Sequence, residues 1–161
     1  MDLKVLRCGI AGSGYAAKFH FEALKRVFGV RVEIEGAYSP NHEHLEQFTS
    51  VRNIKAFQSI DELISEVDVV HVCTPPSAHE PIVISALRSN RHVIVEKPFT
   101  GYFGDGSIGF NGDDFRRETG LEQALASVRR MIDAEKKSKG KISNARNRKT
   151  RYKKTCTTFR W

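Results

Sequence analysis

Residues 9–17 read Gly9-Ile10-Ala11-Gly12-Ser13-Gly14-Tyr15-Ala16-Ala17, a G-x-G-x-x-A turn from Gly12 to Ala17. Ahead of it, Lys4 to Ile10 is a short β-branched and leucine-rich run, the composition of a strand. Behind it, Ala16, Phe19, Ala23 and Val27 recur at helical spacing with Lys18, Lys25 and Arg26 between them, which predicts a helix carrying those four on its apolar face. A glycine turn set between a strand and a helix suits a dinucleotide. The first glycine permits the tight turn, and the second lets a pyrophosphate approach the backbone. The small Ala17 lets helix and strand pack closely, while the helix N-terminus attracts the anion. Placement inside an N-terminal βαβ unit separates this motif from an ordinary glycine turn. The overlapping Gly9 to Gly14 spacing is not a P-loop, because Tyr15 stands where that motif needs lysine.

Working outward, Arg31 to Tyr38 reads as a second strand, Asn41 to Arg52 as a second helix and Ile54 to Phe57 as a brief third strand. Ser59-Ile60-Asp61-Glu62 has the form of a capping box and starts a short helix. The dense valines from Val67 to Cys73 suit a fourth strand buried on both faces of a parallel sheet. Pro81 sits near the start of the next helix, and His92 to Val95 is a fifth strand. Strand and helix alternate, which predicts an α/β fold with right-handed crossovers: a Rossmann-type, doubly wound parallel sheet. Residues 99–119 hold five glycines among aromatic and acidic residues and read as an irregular insertion. Helical order returns from Glu122 to Glu135, with Leu121, Leu125, Val128 and Ile132 on one face. From Lys141 the periodicity is lost. The expected division is therefore a domain over residues 1–140 and an irregular basic tail over 141–161.

The chain has 161 residues and a net charge of +7, and its charge is uneven. Lys141, Arg146, Arg148, Lys149, Arg151, Lys153, Lys154 and Arg160 fall in the tail, which has no acidic residue, so the rest is near neutral. Such clustering is an electrostatic footprint for nucleic acid, and Tyr152, Phe159 and Trp161 are there to stack on bases. No DNA- or RNA-binding motif surrounds them, so nucleic acid is set aside as a partner. No apolar run approaches the roughly 20 residues of a membrane span, and the N-terminus, broken by Lys4 and Arg7, does not read as a signal peptide. The expected setting is the cytoplasm. Cys8, Cys73 and Cys156 form no C-x-x-C pair, and Cys8 and Cys73 read as small buried hydrophobes. His42 and His44, two apart on a helix, point to different faces and make a poor metal pair, so no metal site is expected.

The remaining chemistry lies at strand ends. The second strand ends Ala37-Tyr38-Ser39, where a dinucleotide fold usually carries an acidic residue for the adenosine ribose. Serine leaves room for a 2′-phosphate, although no arginine follows closely to grip it, so the reading is NAD or NADP with a lean toward NADP. Cys73-Thr74-Pro75-Pro76, with His79 after it, ends the fourth strand, and Glu96-Lys97-Pro98 ends the fifth. Both lie at carboxyl ends of strands, where open α/β sheets bind ligands. Taken singly, Lys97 could be a solvated strand-end lysine, Pro75-Pro76 a stiff turn and His79 a capping or surface residue.

Together, "GIAGSGYAAKFH", "VDVVHVCTPPSAHEPI" and "HVIVEKPF", in that order, resemble the Gfo/Idh/MocA oxidoreductases from about Leu3 to Gly140. The resemblance implies hydride transfer between a nicotinamide cofactor and a sugar, polyol or similar hydroxylated substrate. It implies that Gly12, Ser13, Gly14, Tyr15 and Ala16 line the pyrophosphate, and that Ser39 sits beside the adenosine ribose. Thr74, Pro75 and Pro76 would pack along the cofactor, His79 would lie near the active cleft, and Glu96 would approach the nicotinamide. Lys97 would serve the reacting hydroxyl as the catalytic residue. Members of the family are similar in having a second α/β domain that supplies most substrate contacts. Nothing read here can be that domain, because the text after Ile142 turns to Ser143-Asn144-Ala145-Arg146-Asn147-Arg148-Lys149. The expectation is a truncated or frameshifted reading, ahead of a natural basic tail or a cloning scar. Such a chain would hold cofactor but turn over substrate poorly, and its uncovered apolar surface would favour homo-oligomers. A non-catalytic nucleotide-binding module is the rival.

Overall fold

The computed structural model describes residues 4–104, 110–112 and 115–145. Along the chain run β1 (Val5–Ala11), α1 (Tyr15–Leu24), β2 (Arg31–Tyr38), α2 (His42–Ser50), β3 (Lys55–Ala56) and α3 (Ile60–Glu66). They are followed by β4 (Val69–Val72), α4 (His79–Arg88), β5 (His92–Val95), α5 (Arg117–Lys136) and β6 (Ile142–Asn144). The sheet order is β3-β2-β1-β4-β5-β6, and every neighbouring pair is parallel. This is the doubly wound α/β sheet expected from the alternation of elements. The order reverses between β1 and β4, and their crossovers leave in opposite directions, so a crevice opens above their carboxyl ends.

Local signals set the helix starts. Asn41 caps α2 by accepting the His44 N–H, and Ser59 caps α3 by accepting the Glu62 N–H at 3.0 Å. Two cores then form. On one face Leu63, Ile64, Val83, Ala86, Leu87 and Met131 of α3, α4 and α5 pack on Val70, Val72, Val93 and Val95. On the other, Ala17, Phe21, Leu24, Leu45 and Phe48 of α1 and α2 pack on Cys8, Ile10, Ala37 and Val69. All four residues of β4 are buried, as its valine run predicts.

Three expectations need correction. The apolar stripe read on α1 is not the buried one. Ala17, His20, Phe21 and Leu24 turn inward, Phe19 is 67% exposed, and Val27 lies past the helix end. The helix carries two apolar stripes at helical spacing, so periodicity alone could not choose between them. The outer stripe, with Phe19, Ala23 and Val27, instead walls a groove of about 590 Å³ floored by Val69, His71 and Ile94.

In α5, similarly, Gly120, Ser127 and Met131 are buried while Leu121 is 61% exposed and Leu125 and Ile132 are also exposed. Small residues let the helix approach its neighbours: a Cβ on Gly120 would lie 2.3 Å from the Phe115 ring, and the Ser127 and Thr100 hydroxyls hydrogen-bond at 2.9 Å. Ahead of α5, Tyr102, Phe110 and Phe115 stack against one another with ring centroids 4.9–5.6 Å apart.

The third correction concerns the C-terminal end. Pattern was read as lost from Lys141, yet Ile142–Asn144 form β6 beside β5. Val93 N–H donates to Lys141 O and Ala145 N–H to Val95 O, both at 2.8 Å. Ile142 N–H donates to the Glu135 carboxylate at 2.9 Å. An edge strand of three residues is too short for periodicity to reveal. The basic residues from Arg146 onward, and Cys156, lie outside the described residues.

Candidate cofactor site

The glycine turn divides its work between fold and cleft. Gly12 has φ of 120°, and a Cβ there would lie 2.7 Å from the Cys73 carbonyl oxygen. Its N–H donates to Tyr38 O at 2.7 Å, which ties β1 to the end of β2. Gly14 is the N-cap of α1, with φ −81° and ψ −161°, and a Cβ there would meet nothing within 4 Å. Among the described residues no side chain caps α1, and no acidic residue occupies its first turn. Its leading N–H groups therefore face open space with the positive end of the helix dipole behind them, the requirement for seating a pyrophosphate. Ser13 and Ala16 are half-buried beside this space and Tyr15 is exposed over it.

Ser39 is buried directly after β2. Thr74 follows β4 by two residues, and its hydroxyl is buried with no hydrogen-bond partner among the described residues. A buried orphan hydroxyl at this point suits a group that arrives with the cofactor, since such atoms otherwise cost about 1–3 kcal/mol. Pro75 is exposed, and Pro76 opens a short 3₁₀ turn through Ala78.

His79 is placed differently from expectation. It is 1% exposed at the start of α4, with Nε2 2.9 Å from Thr74 O and Nδ1 3.3 Å from Phe99 O. Both nitrogens face main-chain carbonyls, so the ring braces the segments after β4 and β5 from beneath.

Glu96 and Lys97 follow β5 and share a cavity of about 340 Å³ with Tyr15, Ala16, Phe19, His20 and Ala145. Lys97 is exposed, whereas Glu96 is partly buried. One Glu96 oxygen lies 3.0 Å from His20 Nε2, and the other accepts the Lys97 N–H at 2.9 Å. Burial raises the Glu96 pKa, but the His20 and Lys97 hydrogen bonds outweigh it and hold the carboxyl below the usual glutamate range. His20 Nδ1 in turn lies 2.8 Å from His71 Nδ1, with the rings edge to face. Burial, then the neighbouring His20, pushes His71 down to about 3. His20 is the site residue that sequence reading missed. A histidine three residues after Ala17, on a helix that opens at a glycine turn, was the available signal.

Cys8 and Cys73 are free and buried, and burial pushes each thiol up to about 12, so neither is a nucleophile. Among the described residues no group of three or more His, Cys, Asp or Glu side chains is placed to hold a metal, and no helix is long and apolar enough to cross a membrane.

Comparison with known proteins agrees with this geometry. Residues 6–107 match the Gfo/Idh/MocA family, described as an oxidoreductase family with an NAD-binding Rossmann fold. UDP-N-acetylglucosamine 3-dehydrogenase of Acidithiobacillus ferrooxidans is 30% identical over 95 residues, 59% of this chain and 29% of that protein. Glucose-6-phosphate 3-dehydrogenase of Bacillus subtilis is 31% identical over 102 residues, 63% of this chain and 29% of that protein. The chain thus spans under a third of the length of these relatives. Among solved structures, the WlbA dehydrogenase of Bordetella pertussis, in complex with NADH and UDP-GlcNAcA, superposes with a TM-score of 0.69 at 20% identity. That match covers 88% of this chain and 37% of the other. A biliverdin reductase from Synechocystis, in complex with biliverdin and NADP+, gives 0.63 at 19% identity, over 85% of this chain and 37% of that one. Those two likenesses speak for the fold alone. The matched residues run from β1 past Lys97 and include the glycine turn, and on them the chain belongs to the Gfo/Idh/MocA oxidoreductases through its NAD-binding Rossmann domain.

Proposed function

We propose that this domain is the cofactor-holding half of a dehydrogenase that oxidises a secondary hydroxyl of a sugar, a polyol or a nucleotide-linked sugar. One observation carries the reading. The open Gly14 turn, the orphan Thr74 hydroxyl and the Glu96–Lys97 pair stand at the carboxyl ends of neighbouring parallel strands, around the point where the sheet order reverses. The substrate class follows the relatives, which are named as dehydrogenases of a nucleotide sugar and a sugar phosphate.

Gly12 shapes the turn, and Ser13, Gly14, Tyr15 and Ala16 hold the pyrophosphate by main-chain N–H groups and the helix dipole. Ser39 faces the adenosine ribose without a negative charge, which favours NADP. Thr74, Pro75 and Pro76 form the wall along the cofactor, and His79 supports that wall from below. A nicotinamide, when bound, supplies the hydride acceptor. Lys97 directs its ammonium at the substrate oxygen and stabilises the negative charge that develops there, while the hydroxyl proton passes to solvent or to a base outside the matched residues. Glu96 stays ionised beside it. Positioning of the reacting carbon accounts for about 7–11 kcal/mol of such a barrier. The relatives are about three times as long as this match, so we assign most substrate contacts to residues beyond it. The domain then binds cofactor, associates through its apolar groove and works in the cytoplasm.

The test follows nicotinamide absorbance with a panel of sugars, polyols and UDP-sugars, alongside NADH and NADPH titrations, for the chain and its Lys97→Ala variant. Cofactor binding by both proteins with little turnover is expected. Absence of binding refutes the cofactor site. Robust turnover dependent on Lys97 refutes the assignment of substrate contacts elsewhere.

A further inference from the structure

His20 lies on α1, His71 on β4 and Glu96 at the end of β5, so three separate elements meet through their side chains. The pairings restrict where the protons sit. An ionised carboxylate only accepts, so the His20 nitrogen facing Glu96 must carry hydrogen. His71 is buried, and desolvation keeps its ring neutral with one proton. If that proton is on Nδ1, it is donated to His20 Nδ1, and each short contact has one donor and one acceptor. The remaining His71 Nε2 is then a bare lone pair, and it is buried without a partner among the described residues. The reverse arrangement would require a cationic His20 and would strand a buried N–H, which proteins tolerate less well than a stranded acceptor. A directed chain results, from His71 Nδ1–H to His20, from His20 Nε2–H to one Glu96 oxygen, and from the Lys97 N–H to the other.

We infer that His20 is a positioning residue: by clasping the Glu96 carboxylate it ties α1, which opens at the glycine turn, to the Glu96–Lys97 segment across the crevice. The phosphate side and the Lys97 side of the site are thereby held at one spacing. The inference rests on the proposed cofactor role of these residues, although the clasp itself does not. Glu96 is faced by His20 from α1 and by the Lys97 N–H from its own segment, while its charge also reaches Cys73 after β4. His20 is the side-chain donor among these.

The experiment uses the whole chain and two variants. His20→Gln keeps a donor near the Nε2 position, and His20→Leu removes it. Carboxyl ¹³C titration should place Glu96 below the usual glutamate range in the wild type and in His20→Gln, and higher in His20→Leu. NADH should bind His20→Gln within about threefold of wild type and His20→Leu more weakly than that, because the clasp acts on the cofactor only through the spacing it holds. Long-range ¹H–¹⁵N spectra of the wild type should show the proton of His20 on Nε2 and that of His71 on Nδ1. A wild-type Glu96 midpoint in His20→Leu, equal behaviour of the two variants, or an unprotonated His20 Nε2 overturns the proposal. Should His20→Leu fail to fold, the ring tautomers and the His20→Gln titration still decide it. If wild type binds no NADH, the cofactor reading falls, while the titration continues to test the clasp.

Discussion

Replacing Gly14 by valine should abolish dinucleotide binding and leave the fold standing, whereas the smaller change Gly12→Ala should damage the fold itself. At Gly14 the backbone has φ −81° and ψ −161°, extended values that any residue adopts, and a new Cβ meets nothing within 4 Å. A β-branched residue is a poorer N-cap than glycine, but it also removes unfolded-state freedom worth about 0.4–1 kcal/mol, so the two effects nearly cancel. The same side chain fills the space that a pyrophosphate would need. Each main-chain hydrogen bond to a charged group contributes about 1.5–3 kcal/mol, and loss of one or two weakens binding about 10- to 20,000-fold. At Gly12, φ of 120° strains any side chain by about 1–3 kcal/mol, and its Cβ would press on the Cys73 carbonyl at 2.7 Å. For a chain of this size each kcal/mol lowers Tm by about 2–4 °C. Thermal melts paired with NADH fluorescence titrations separate the two outcomes. Binding by Gly14→Val within threefold of wild type, or a melting loss as large as that of Gly12→Ala, would refute the division of labour between the two glycines.

Four other substitutions probe different parts of the molecule. Ser39 should let NADPH bind at least as well as NADH, and Ser39→Asp should shift preference toward NADH by at least about tenfold, or about 1.4 kcal/mol; paired titrations of both cofactors check this, and a wild type that prefers NADH tenfold contradicts it. Met131→Ala, at a fully buried position, should cost about 2–5 kcal/mol in urea denaturation, while Leu125→Ala on the exposed side should cost less than about 0.5. Asp68 accepts Arg7's side chain and main-chain N–H, and the Arg7 side-chain hydrogen bond above all holds its carboxyl below the usual aspartate range. Because folded Asp68 titrates below the unfolded value, its stabilisation is present above about pH 4 and is lost as pH falls through the folded value. Asp68→Asn should therefore flatten the acid limb of a stability-versus-pH curve below pH 4 and change little of its shape above.

The parallel sheet was legible because it depends on the alternation of elements, and a run such as Val69–Val72 announces burial on both faces. The glycine turn was legible because few other residues tolerate its geometry. Which side of a helix turns inward was not. On α1 both the Ala16–Phe19–Ala23 and the Ala17–Phe21–Leu24 stripes keep helical spacing, and only the neighbouring strands decide between them. On α5 the deciding contact is a close approach at Gly120 and Ser127, so its leucines point outward against the hydrophobic rule. The depth of His79 and the part played by His20 escape local reading for a related reason. One meets the Phe99 carbonyl twenty residues on, and the other joins α1 to β4 and the end of β5. Such long-range pairings leave no trace in local spacing. The strand Ile142–Asn144 escaped notice because it is three residues long and its recognition depends on β5.

The one-sided cover over part of the sheet has a consequence for how the domain breathes. β1 lies between β2 and β4 with packed cores above and below, so its amides should exchange with solvent hydrogen only when the whole domain opens. β6 is the last strand, three residues long, and beside it β4 and β5 floor an open groove rather than meeting a helix. Its amides should therefore exchange by local opening at lower free energy. Glu96, whose N–H donates to Val72 O and whose carboxylate meets His20, stays with the stiller part of the sheet. The edge thus yields at β6 before the crevice does.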